Sequence, residues 1–190
     1  MVSDNKTTVD RCPHCGARKP KIGACLSSAK HDWRTPEWLV KKVSAFFGGT
    51  IDLDPCAPMR SEDWFASTNF NGQIVDGLSE CWTRSEVVTA RNAYVNPPYG
   101  RSLIKWSKKI VDESKSDLEI IALTPSRTDT KWFRLMAEHC ACVCLVASRI
   151  VFLGAAHGAP FPSAIWYFGS RHEEFRREFS DIGLVVFEIG

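Results

Sequence analysis

Residues 92–100, NAYVNPPYG, begin as a β-strand and stop abruptly. Asn92 to Val95 read as a strand. Pro97 and Pro98 then lack the backbone N–H that a sheet ladder needs, and Asn96 is held extended by the proline after it. The strand therefore ends in a stiff element with two outward acceptors, the Asn96 side-chain oxygen and the Pro97 carbonyl. Tyr99 adds an aromatic plate beside them. A flat ring bearing an NH2 group suits such a claw.

Working outward, residues 101–114 (RSLIKWSKKIVDES) form an amphipathic helical pattern with Leu103, Trp106 and Ile110 on one side. Residues 118–124 (LEIIALT) are a continuous apolar run, as expected of a strand buried on both faces. Upstream, residues 35–47 (TPEWLVKKVSAFF) carry a helix start, with Thr35 as N-cap, Pro36 in the first turn and Glu37 near the positive end of the dipole. Gly48 and Gly49 end that helix, and TIDLD (50–54) reads as a strand. Residues 129–139 (DTKWFRLMAEH) read as a further helix. The strand-like segments CVCLVA (142–147), RIVFL (149–153), SAIWYF (163–168) and LVVFEI (184–189) follow. Alternating strands and helices predict an α/β fold with a mostly parallel central sheet, helices on both sides and an antiparallel edge pair near the end. Ligands in such sheets lie at the carboxyl ends of strands. DLDPCAP (52–58) and VNPPYG (95–100) both occupy that position.

A chain of 190 residues, 44% hydrophobic, is long enough for one domain with a buried core. Residues 1–31 are polar, basic and poor in large apolar side chains. They are expected to form a small cysteine-rich arm, with the main domain over 32–190. Within the arm, Cys12, Cys15, Cys25 and His31 offer a tetrahedral set for a structural zinc, with His14 as an alternative to His31. The competing reading is free cysteines on a flexible arm. No apolar run approaches the roughly 20 residues of a membrane span, and the first ten residues contain no apolar segment. The expectation is a cytoplasmic protein with no membrane partner. A net charge of +2 permits a nucleic-acid partner without demanding one.

The ordered set DWRTPEW (32–38), LDPCA (53–57), DGLSECW (76–82), YVNPPYGR (94–101), TPSRTDTKWF (124–133), SRIVF (148–152) and APFPSAIWYF (159–168) resembles the phage-type Dam family of DNA adenine methyltransferases. The resemblance implies a Rossmann-like class I methyltransferase fold that uses S-adenosylmethionine. It implies methyl transfer to the exocyclic amino nitrogen of an adenine flipped out of double-stranded DNA, in a bacterial host if phage encoded, with GATC as the family's recognition sequence. Asn96, Pro97, Pro98 and Tyr99 would be catalytic, with Tyr99 stacked on the base. Thr35, Pro36, Asp54, Pro55, Cys56, Ala57, Asp76, Gly77, Leu78 and Asn96 would bind the cofactor. A ribose-binding acid is expected between the two cofactor segments, with Glu62 and Asp63 both open. Arg101, Lys105 and Lys108, together with Arg127 and Lys131, would contact DNA phosphates. Phe161, in the Gly- and Pro-rich loop 154–164, would be a wedge or wall against the base. The chain lacks the glycine-rich cofactor loop of many methyltransferases. Two other enzymes carry NPPY, those acting on RNA and those acting on a protein glutamine. A DNA-binding protein with a zinc knuckle and no catalysis is the remaining alternative.

Overall fold

The computed structural model describes residues 33–70, 75–83 and 89–187. Among these, seven strands build one sheet: β1 (Leu53–Asp54), β2 (Thr68–Asn69), β3 (Asn92–Val95), β4 (Glu119–Pro125), β5 (Cys142–Val146), β6 (Ser163–Phe168) and β7 (Gly183–Phe187). Their spatial order is β2-β1-β3-β4-β6-β5-β7. The first four in that order are mutually parallel. Strand β6 runs antiparallel between β4 and β5, and β7 pairs antiparallel with β5. The expected antiparallel edge pair is thus a three-stranded antiparallel edge.

Among the described residues, four α-helices cover the sheet: α1 (Glu37–Phe46), α2 (Leu103–Glu113), α3 (Lys131–Ala137) and α4 (His172–Phe179). Strand side chains alternate between the two faces. Ala93, Val95, Ile120, Ala122 and Trp166 join the side chains of α2 and α3 in one core. Tyr94, Ile121, Leu123, Ile165 and Tyr167 join those of α1 and α4 in the other. Each large apolar side chain so buried contributes about 1.5–3 kcal/mol, which is why the central strands are apolar on both faces.

The sequence pattern misses four features. β2 is two residues long, too short to show a period. RIVFL is not a strand: Ile150 and Phe152 are buried while Val151 and Leu153 are exposed, and the segment closes a loop through Ala159 N donating to the Ile150 carbonyl, 2.9 Å. Helix α4 shows only Phe175 and Phe179 as apolar anchors. It is tied down by Arg171, whose Nη2 donates to Glu119 Oε2 at 2.6 Å across 52 residues of sequence. Thr35 does not cap α1. Pro36 holds that position without a side-chain hydrogen bond, and the Thr35 hydroxyl serves the site described next.

Candidate active site

Asp52 places the site. Arg91 N donates to Asp52 Oδ2 at 2.8 Å, and Asp52 N donates to Asn92 Oδ1 at 2.9 Å. These bonds lock β1 against β3 with Leu53 opposite Ala93. The loops leaving the two strands, 55–58 and 96–99, therefore emerge side by side. Between them lies a cavity of about 550 Å³, within the size range of small-molecule sites.

Asn96 lines this cavity. Its Nδ2 donates to the Trp33 carbonyl at 2.5 Å and to Thr35 Oγ1 at 3.1 Å. A carbonyl can only accept, so the amide orientation is fixed. Thr35 Oγ1 is held in turn by the Tyr94 hydroxyl at 3.0 Å. Burial keeps that phenol protonated, well above its ordinary range, and the hydrogen bond to Thr35 only partly offsets this. The consequence is at the other end of the amide: Asn96 Oδ1 is buried with no hydrogen-bond partner. An orphaned buried acceptor costs about 1–3 kcal/mol. Asn96 therefore holds a buried, unpaired oxygen on a residue that lines the cavity.

Pro97 and Pro98 also line the cavity. Tyr99 does not. Its ring is 7% exposed and lies edge-on to Phe161, with centroids 5.5 Å apart. Tyr99 therefore backs the claw from the core instead of offering an open plate. Phe161, 6% exposed, belongs to the same aromatic group with Trp33 and Phe152. It is a buried wall and not an exposed wedge.

On the opposite side stand Asp54, Pro55, Cys56 and Ala57. Asp54 is 3% exposed. Burial pushes its carboxyl up to about 7, only partly opposed by the hydrogen bond from Cys56 N. The Cys56 thiol is pushed well above its usual range by burial and the nearby Asp54 and Asp76 charges, so it is a poor nucleophile. Asp76 and Gly77 line the cavity, whereas Leu78 packs partly buried against the core. Asp76 also holds its own turn, accepting from Leu78 N at 3.1 Å and Ser79 Oγ at 3.2 Å. Pro36 is buried and is not part of the cavity wall.

The two acids left open by the sequence are now distinguished. Asp63 lines the cavity and binds Arg34 Nη1 at 2.7 Å. Glu62 is exposed and pairs with Arg60. Sequence reasoning missed Trp33, Arg34, Phe70 and Trp106 as lining residues. The motif DWRTPEW held the first two, but nothing in it gives their contacts.

Arg101, Lys105 and Lys108 are exposed on and before α2 and form no ion pair among the described residues. Lys109 is engaged, paired with Glu113 at 2.6 Å. Lys131 is exposed at the start of α3. The Arg127 carbonyl accepts from the Thr130 hydroxyl at 2.8 Å, and Thr130 caps α3 through Phe133 N, so that motif builds a helix start. Cys12, Cys15, Cys25 and His31 lie outside the described residues. Among the described residues, no group of three or more His, Cys, Asp or Glu could hold a metal ion. No helix among them is long and apolar enough to cross a membrane.

Residues 24–164, most of the chain, match the model of the family described as DNA N-6-adenine-methyltransferase (Dam). No curated protein matches the chain by sequence.

Proposed function

The chain belongs to the Dam family of DNA N-6-adenine methyltransferases, and on that premise we propose that it methylates a flipped-out adenine of duplex DNA, with Asn96 and Pro97 gripping the amine. The family implies S-adenosylmethionine as cofactor, and the chain's residues fit it. The cofactor is cationic at its sulfonium and its α-amino group. The cavity wall carries the acids Asp54, Asp63 and Asp76 and the arginines Arg34 and Arg60, with Asp63 paired to Arg34, alongside the apolar Phe65 and Phe70. A carboxyl as deeply buried as Asp54 favours a cation beside it. Asp54, Pro55, Cys56, Ala57, Asp76 and Gly77 are the residues that would hold the cofactor, with Asp63 the acid for its ribose. When bound, the cofactor supplies a methyl group already activated on sulfur.

What the protein must do is prepare the nucleophile. The lone pair of an adenine amino group is delocalised into the ring. If Asn96 Oδ1 and the Pro97 carbonyl each accept one of its hydrogens, the nitrogen is drawn towards tetrahedral geometry and its lone pair is freed. Positioning and fixed dipoles of this kind are the main lever available to the protein. Asn96 is neutral and takes no proton, so the proton leaves after transfer. The amine lies inside the duplex, so the base leaves the stack to reach the cavity. Arg101, Lys105, Lys108 and Lys131 would hold the phosphates without reading sequence.

The observation that carries this reading is the orphaned Asn96 Oδ1, on an amide whose Nδ2 is held by two partners while the oxygen has none. Purified protein with duplex DNA and methyl-labelled cofactor tests it. Label should appear in N6-methyladenine after digestion to nucleosides. Label in protein or RNA alone, or in no product, would overturn it.

A further inference from the structure

Among the described residues, five large apolar side chains are exposed: Trp38, Met59, Val151, Leu153 and Leu184. Scattered singly, such residues need no explanation. Two of these five, Met59 and Leu153, line the cavity, and Val151 is two residues from Leu153. Leu153, 46% exposed, sits at the tip of the loop that the sequence reads as a strand.

That tip is rigid. Its neighbour Phe152 is buried among Trp33, Tyr99 and Phe161. Leu153 N donates to the Arg34 carbonyl at 2.9 Å, and Ala155 N donates to the Phe152 carbonyl at 2.9 Å. Gly154 turns at φ +78, a left-handed conformation, and a side chain there would meet the Arg34 guanidinium at 2.9 Å. Arg34 is itself fixed by Asp63. An apolar side chain is thus presented to solvent from an over-determined backbone, at the edge of the cavity that holds the claw.

We propose that Leu153 is the wedge that enters the base stack as the target adenine leaves it. The proposal rests on the duplex reading above. A base that swings out leaves a gap walled by two apolar ring faces. A side chain without polar atoms can fill that gap at no hydrogen-bonding cost, as the apolar wedges of DNA-bending proteins do. The buried Phe161 cannot take this role.

The test uses the full chain and a duplex containing a position it methylates, beside the same duplex with an abasic site opposite that adenine. Extrusion costs a few kcal/mol and least where the base is unpaired, so Leu153→Ala should slow methylation of the paired duplex about tenfold or more. The abasic-partner duplex should be methylated within about twofold of wild type. Leu153→Met, which keeps an apolar wedge, should restore most of the paired-duplex rate. Equal slowing on both duplexes would overturn the wedge and make Leu153 a wall of the base pocket. An unchanged paired-duplex rate would overturn it as well. Both results leave the proposed function standing, whereas a wild-type protein that methylates neither duplex removes function and wedge together.

Discussion

Asp54 shows how one buried group ties binding to pH. Its carboxyl titrates at about 7 in the fold because burial disfavours its charge, against 3.8 as a free side chain. The folded protein therefore holds a proton that the unfolded chain releases. This contribution to stability is full below about pH 4 and is lost as pH rises through 7. Asp54→Asn should accordingly stabilise the cofactor-free protein at pH 8, by an amount of the order of a few kcal/mol, readable by urea unfolding. Cofactor binding runs the other way. A cation beside Asp54 favours its ionised form, so affinity for S-adenosylmethionine should rise as pH increases from 5.5 towards 7, then level off. Calorimetric titration across that range checks this, and Asp54→Asn should flatten the profile and weaken binding at pH 8. A profile unchanged by the substitution would place the cation elsewhere.

At the scale of elements, the site depends on loops packed backbone to backbone. A Cβ at Gly77 would lie 2.1 Å from the Pro55 carbonyl oxygen, and the Gly77 carbonyl accepts from Trp82 Nε1 at 2.8 Å. Gly77→Ala must push the 55–58 and 76–78 loops apart. It should cost about 1–3 kcal/mol, the usual penalty of overpacking, and weaken cofactor binding, both followed in one thermal-shift series with and without cofactor. The central strands and helices α1 to α3 were legible because their periodicity is long and their faces are sharply apolar. The strand end at Val95 was legible because prolines dictate backbone shape locally. Thr35 and Tyr99 were not, since their roles are set by partners far along the chain. Tyr94 draws the Thr35 hydroxyl away from capping α1, and Phe152 and Phe161 enclose the Tyr99 ring. Nor does the sequence show that Asp63 lines the cavity and pairs with Arg34, 29 residues away, while Glu62 pairs with Arg60.

For the whole molecule, the sheet brings the 55–58 loop, the 96–98 segment and Trp106 of α2 to one cavity. If Arg101, Lys105 and Lys108 meet phosphates, replacing all three by alanine should weaken DNA binding alike across sequences. The slope of log affinity against log salt should fall by about 3, close to one per lost contact. An unchanged slope would return these residues to ordinary solvated surface. The fold holds Asn96 Oδ1 buried and unpaired while fixing the other end of its amide. The most direct test of its role is single-turnover methyl transfer by Asn96→Ala, with cofactor affinity measured on the same preparation. Removing an oriented transition-state acceptor predicts a rate loss of about 100-fold or more, with cofactor affinity kept within about threefold. A rate near that of wild type, or a rate and affinity that collapse together, would contradict the account.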